Sequence, residues 1–220
     1  MRLIRVFFEK TGRAKYISHL DLNRTMARCI RRAEIPVWYT EGFNPHPFIS
    51  FGLPLALGVE SLYETMDIKS ESDMTDGEML RRLAAVSPEG LTVKKVAPAV
   101  HKPAEIVAAE YEMSFMGCGE DEAHAMHEIL KSGDMMAKKM VKKGKAKVEK
   151  EINLAGGLRK YDILTRDGYV LLKVTLDAGI SRNLNPVLFC DTVCEKLGIT
   201  PYKVKILKIC SLMSNREKFC

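Results

Sequence analysis

No run of 18 apolar residues occurs in the 220-residue chain, so no membrane span is expected. The opening stretch Met1–Lys10 has a short apolar segment broken by Arg5; it lacks the core and cleavage site of a signal peptide and reads as a first strand. There is no CxxC pair among the six cysteines, Cys29, Cys118, Cys190, Cys194, Cys210 and Cys220. They are scattered, without the dense spacing of a disulfide framework. Cys190 and Cys194 share a helix face, but no second pair stands near them in sequence. Buried, reduced thiols are the simpler reading, and with them a reducing compartment, the cytoplasm. Also missing are the CxxxCxxC triad of a radical-SAM cluster, a P-loop, a GxGxxG and an HExxH. The chain therefore brings no recognisable cofactor site, and no cofactor is expected.

What is present is a core and an excess of positive charge. Hydrophobic residues make up 46% of the chain, enough to fill an interior, and the net charge is +6. That charge permits an anionic partner such as RNA or an acidic protein face, and is also common among ordinary cytosolic proteins.

Periodicity predicts strands at 2–9, 37–40, 48–55, 63–69 and 91–97, with helices at 18–33 and 75–87. Ser18 with Asp21 opens the first helix, Ile35-Pro36 closes it, and Thr75 with Glu78 caps the second. The order β-α-β-β-β-α-β approaches the ferredoxin-like arrangement with one strand extra. After a proline-containing linker at 98–103, strands at 110–116, 158–165, 169–177 and 202–211 alternate with helices at 120–131 and 185–197. Between them lies a basic strand pair or loop at 135–154. Asp167-Gly168 turns a hairpin; Asn185, Pro186 and Gly198 bound the last helix. The expected fold is α+β: two tandem ferredoxin-like units, antiparallel sheets with helices on one face, at 1–98 and 104–213.

Three features carry candidate chemistry. On the first helix, Leu22, Met26, Cys29, Ile30 and Ala33 fall on one face and Arg24, Arg28, Arg31 and Arg32 on the other. Four guanidiniums suit phosphates, each fork holding two oxygens; the alternative is a solvated face with arginines lying over apolar neighbours. The segment Lys138–Lys150 holds seven lysines against one glutamate around Gly144. It fits either a polyanion-steering tip or a lysine-guarded sheet edge. The third is Tyr39-Thr40-Glu41-Gly42-Phe43-Asn44-Pro45-His46-Pro47-Phe48-Ile49-Ser50-Phe51-Gly52, whose proline-rich loop is stiff and loses little entropy on engaging a partner. Tyr39, Phe43 and Phe48 offer stacking faces and His46 a group able to move protons, unless the aromatics fill the core, the preferred reading for Phe48 and Phe51. His46 with His19, helped by Lys15 or Tyr16, would make an acid–base pair for RNA cleavage if the fold brought them together. His124 and His127, three apart on a helix beside Glu122 and Glu128, lack a definite metal-ligand pattern and read as solvated; no metal site is expected.

Four words of sequence stand in one order: Lys15-Tyr16-Ile17-Ser18-His19-Leu20-Asp21-Leu22; Arg31-Arg32-Ala33-Glu34-Ile35-Pro36; Tyr39 through Pro47; and Ser50-Phe51-Gly52-Leu53-Pro54-Leu55-Ala56-Leu57-Gly58-Val59-Glu60-Ser61. Together they resemble the radical-SAM-linked domain family, found free-standing or fused to cobalamin-binding radical-SAM proteins. The resemblance covers about the first seventy residues and brings no established activity or catalytic residue. It implies a radical-SAM partner protein and, from genes lying beside those of family members, a setting in RNA modification or ribosome biogenesis. The expected function is an accessory that binds RNA or presents substrate to such an enzyme, through Arg24, Arg28, Arg31, Arg32, Tyr39, Phe43, Asn44 and His46. The alternatives are a metal-independent RNA-processing enzyme using His46 and His19, or a module docking on the radical-SAM subunit.

Overall fold

A computed structural model describes residues 1–143 and 146–219, with the backbone alone for 139–143, 146–147 and Tyr202. Among the described residues, four α-helices and mostly antiparallel strands make an α+β arrangement. The chain divides into two compact units, Met1–Val107 with Lys208–Cys220, and Ala108–Leu207. The C-terminal segment thus returns to the first unit, where the expected boundaries at 98, 104 and 213 had left it with the second.

In the first unit β1 (Arg2–Lys10) lies between β4 (Leu91–Pro98) and β3 (Glu60–Ser70), antiparallel to both. The last strand, β10 (Val204–Met213), follows β3 in the order β4-β1-β3-β10. Alternation along β1 and β3 decides which face meets the helices. Ile4, Val6, Phe8, Met66 and Ile68 pack with Leu22, Met26 and Ile30 of α1 (His19–Arg32) and with Met79 and Leu83 of α2 (Asp76–Val86). Burying one aliphatic or aromatic side chain of this size is worth about 1.5–3 kcal/mol, so this cluster is what holds α1 in place.

Two predicted strands are shorter than expected. Val37–Thr40 forms only isolated bridges, Val37 to Ser70 and Tyr39 to Pro47. Of Phe48–Leu55 only β2 (Ile49–Phe51) is regular, paired with Met66–Ile68 of β3. Gly52 follows it at a close approach: its N–H donates to the Thr65 carbonyl at 3.0 Å, and a Cβ there would clash with the Thr65 hydroxyl.

The caps follow the sequence signals. Ser18 accepts from the Asp21 N–H at 3.1 Å and Thr75 from the Glu78 N–H at 3.2 Å. Glu78 also takes Arg81 at 2.8 Å and Arg82 at 2.7 Å, and Arg82 reaches the Ala33 carbonyl at the end of α1. Hydrogen bonds from Arg81 and then Arg82 hold the Glu78 carboxyl down at about 2, against an ordinary 4.5. A depressed carboxyl stabilises fully above its unfolded pKa and loses that contribution as pH falls through its folded one. Glu78→Gln is therefore expected to melt below wild type at pH 7, with the gap closing between about pH 4.5 and pH 2; equal melting temperatures at pH 7 would refute this. Solvent screening keeps the effect small.

The second unit holds most of β5 (Ile106–Met116), with β9 (Tyr169–Asp177) antiparallel to it and β8 (Leu158–Arg166) beyond. It also holds α3 (Glu120–Ser132), α4 (Pro186–Leu197) and a separate hairpin of β6 (Met136–Lys143) and β7 (Ala146–Asn153). The basic segment is thus a strand pair. Gly144 and Lys145, the expected tip, lie outside the described residues, as do the side chains of most of its lysines. Lys138 pairs with Glu149 at 3.7 Å. Cys29, Cys118, Cys190 and Cys194 are buried free thiols, and Cys210 is buried as well. Among the described residues, no helix is long and apolar enough to cross a membrane.

Candidate nucleic-acid interface

Helix α1 buries Leu22, Met26, Cys29 and Ile30 and leaves Arg24, Arg28, Arg31 and Arg32 exposed. The amphipathic pattern fixes this, because 3.6-residue periodicity turns the arginines away whenever the apolar stripe meets the sheet. Arg24 is bound to Asp21 at 3.3 Å. Arg28, Arg31 and Arg32 meet no carboxylate among the described residues. Their charge is free to act outward.

Helix α1 ends through Glu34, whose φ of +52° lies in the left-handed region, and Val37 then bridges to Ser70 on β3. The aromatic loop starts from that root. The Trp38 N–H donates to the Lys69 carbonyl at 2.9 Å and the Phe48 N–H to the Trp38 carbonyl at 3.0 Å. The Lys69 ammonium stands 4.3 Å from the Trp38 ring centre and 4.7 Å from that of Phe48, a cation held against two π-faces. Closer to the tip, the Thr40 N–H donates to the His46 carbonyl at 2.9 Å, and the Thr40 hydroxyl lies 2.8 Å from His46 Nδ1. Tyr39 is 42% exposed and Phe43 fully so, at 105%. Asn44 is exposed, and its carbonyl lies 3.3 Å from His46 Nδ1.

The aromatics therefore divide. Phe51 is half-buried against the core and meets the His19 ring edge-on at 5.0 Å. Phe48 is half-buried in the root, and only Tyr39 and Phe43 face outward. The histidines part as well. His19 contacts Phe51 and His46 contacts Thr40, with no contact between the two imidazoles among the described residues. Sequence reading missed Trp38 and Lys69. The single tryptophan, standing just before the proline loop, was the available signal.

A different surface lies in the second unit. Glu120, Asp121, His124, His127, Tyr161, Asp162 and Ile163 line a groove of about 850 Å³. His127 Nδ1 lies 3.5 Å from the Tyr161 hydroxyl. Three carboxylates and no lysine or arginine in its lining make it a poor host for a polyanion. Among the described residues no three His, Cys, Asp or Glu side chains converge on a metal position.

Residues 3–186 match the model of a family described as an uncharacterized protein conserved in bacteria, DUF2344. The chain belongs to this family. The match includes α1, the aromatic loop and the groove of the second unit. Among curated proteins none matches. Of solved structures, a Cbf5–Nop10–Gar1 complex is similar over 94% of this chain at 10% identity and a TM-score of 0.46. The chain spans 48% of the length of that matched chain. An unknown protein from Galdieria sulphuraria is similar over 94% of this chain and 96% of its own, at 14% identity and a TM-score of 0.27. A heavy metal efflux pump is similar over 94% of this chain and 28% of its own, at 10% identity and a TM-score of 0.25. None of these matches names a radical-SAM protein.

Proposed function

We propose that this DUF2344 protein binds RNA through its first unit and serves as a non-catalytic accessory to a radical-SAM enzyme. One observation carries the RNA reading: Arg28, Arg31 and Arg32 stand exposed on one helix without carboxylate partners among the described residues. Like charges gathered this way gain little for the helix itself, and they suit the closely spaced phosphates of a nucleic acid. The radical-SAM partner, and the setting in RNA modification or ribosome biogenesis, come from the sequence words that resemble the radical-SAM-linked family. The strand order β4-β1-β3, with β2 also pairing β3, supports a ferredoxin-like reading of the first unit. By analogy, β5-β9-β8 with α3 and α4 is read the same way in the second.

The test is a titration of purified protein with transfer-RNA and ribosomal-RNA fragments at about 50 and 200 mM salt. Saturable binding that weakens by on the order of tenfold or more at the higher salt is the expected result, as displacement of counterions by several cationic side chains requires. No binding at the lower salt would end the proposal.

A second reading has its own observation. Tyr16, Leu20 and Leu57 are 67%, 59% and 60% exposed, and the Gly58 N–H donates to the Lys15 carbonyl at 3.0 Å, bringing the segments of Tyr16 and Leu57 together. Exposed apolar side chains on adjoining segments fit a protein partner. Co-purification with a radical-SAM subunit after nuclease treatment, lost in Leu20→Asp, would favour this docking role.

A further inference from the structure

The loop between Tyr39 and Pro47 presents Phe43 in a way that a phosphate contact does not need. Its base is tied on both strands by the backbone bonds at Trp38, Thr40 and Phe48 and by the Lys69 ammonium between Trp38 and Phe48. The His46 N–H adds a bond to the Thr40 hydroxyl at 3.2 Å. Beyond that staple Gly42 turns with φ +124°, a conformation that favours glycine, and a Cβ there would meet nothing within 4 Å. Phe43 follows at 105% exposure, so a fixed scaffold holds an apolar ring in water.

The composition of the loop narrows what that ring can meet. From Tyr39 to Pro47 there is no lysine or arginine, and Glu41 adds a negative charge. The loop thus offers a phosphate very little, whereas Phe43 offers the face of a base a stacking platform. In a duplex both faces of an interior base are covered by its neighbours, so only an unpaired base has a face free to stack on a side chain.

Resting on the RNA-binding reading above, we infer that the first unit takes single-stranded RNA, with phosphates on Arg28, Arg31 and Arg32 and one unpaired base stacked on Phe43. The ring is then a positioning platform for a nucleotide, and the stiff root lets it act with little ordering cost.

The experiment compares a single-stranded oligonucleotide carrying 2-aminopurine with the same sequence in a duplex, each titrated with wild type, Phe43→Ala, Phe43→Trp and the triple variant Arg28→Glu/Arg31→Glu/Arg32→Glu. Expected are at least about tenfold preference for the single strand, a loss of about 5- to 150-fold in Phe43→Ala confined to that strand, and recovery in Phe43→Trp, in keeping with alanine substitution of base-stacking aromatics. Quenching of the 2-aminopurine by wild type and its absence in Phe43→Ala would mark the stacked base directly. Equal affinity for strand and duplex overturns the inference. So does an unchanged Phe43→Ala beside a crippled arginine variant, although the RNA-binding reading then survives. Failure of wild type to bind either RNA removes both. Preserved melting of Phe43→Ala, whose ring touches only solvent, would exclude misfolding as the cause of a loss.

Discussion

Charge reversal of Arg28, Arg31 and Arg32 together is expected to lower RNA affinity by on the order of 10²- to 10³-fold at about 50 mM salt. The size follows from counterion release. On a single strand each neutralised phosphate contributes about 0.7 to the slope of log affinity against log salt, or close to a decade of affinity at that concentration. Three such contacts account for the loss, and glutamate adds repulsion to it. The same variant is expected to flatten the salt slope by about 2. Arg24→Glu makes an internal control. Arg24 already engages Asp21, so its charge is partly satisfied and its reversal is expected to cost less than that of Arg28. Since all four side chains are solvent-exposed, melting temperatures are expected to stay close to wild type. A triple variant with undiminished affinity and an unchanged slope would place the binding surface elsewhere.

That surface was legible in the sequence only as far as one helix allows. The spacing of Leu22, Met26, Cys29 and Ile30 set the buried stripe, and geometry then forced the arginines outward, so α1 and its free face follow from periodicity alone. The caps at Ser18 and Thr75 were equally local and lie where the side chains indicated. Register was not local. A continuous strand from Phe48 was expected, but the regular strand stops at Phe51, and the last bond beyond it, from the Gly52 N–H to the Thr65 carbonyl, joins residues thirteen positions apart in the chain. The Lys69 ammonium between Trp38 and Phe48 is likewise a contact between segments far apart in sequence, which no window of residues reveals. The return of most of β10 to the first unit comes only after the 100 residues of Ala108–Leu207. Buried charge was also invisible from sequence. Arg5 sits in an alternating strand as if solvent-facing, yet it is 0% exposed. It binds Asp67 through Nε at 2.7 Å and Nη2 at 2.8 Å, and it lies 4.1 Å from the centre of the Phe219 ring.

The largest stability effect is expected from a second such buried group, Glu64. Its Oε1 accepts from Lys208 Nζ at 2.8 Å and from the Ser61 hydroxyl at 2.7 Å, and both ionic side chains are 2% exposed. Lys10, also 2% exposed, donates to the carbonyls of Lys15 and Ile17 at 3.3 and 3.2 Å. Burial pushes Lys10 down and the Glu64 carboxylate holds it up. Glu64→Gln keeps the shape and removes the charge, stranding two buried ammonium groups. Breaking one buried pair in this way costs about 3–5 kcal/mol, far more than the net worth of the pair itself. In a chain of this size that corresponds to a fall in melting temperature of about 6–20 °C. Replacing both partners, Glu64→Leu with Lys208→Met, is expected to cost less than Glu64→Gln alone, since no charge is then left uncompensated. The deficit of Glu64→Gln also has a direction with pH. Lys10, deprived of the carboxylate that raised it, has a folded pKa further below its unfolded value; the unfolded chain then binds more protons, and stability rises with pH. The gap from wild type is therefore expected to narrow as pH rises towards 10.5, the ordinary lysine value, read by thermal melts on the alkaline side of neutrality. A gap that widened there would show that Lys10 is not the stranded charge. The consequence reaches the RNA surface as well: the carbonyls that Lys10 holds belong to the turn leading into the Ser18 cap, so loosening them frees the first turn of α1. In the folded fraction of Glu64→Gln, RNA affinity is expected to fall far less than stability does, because Arg28, Arg31 and Arg32 sit in later turns anchored by Met26 and Ile30.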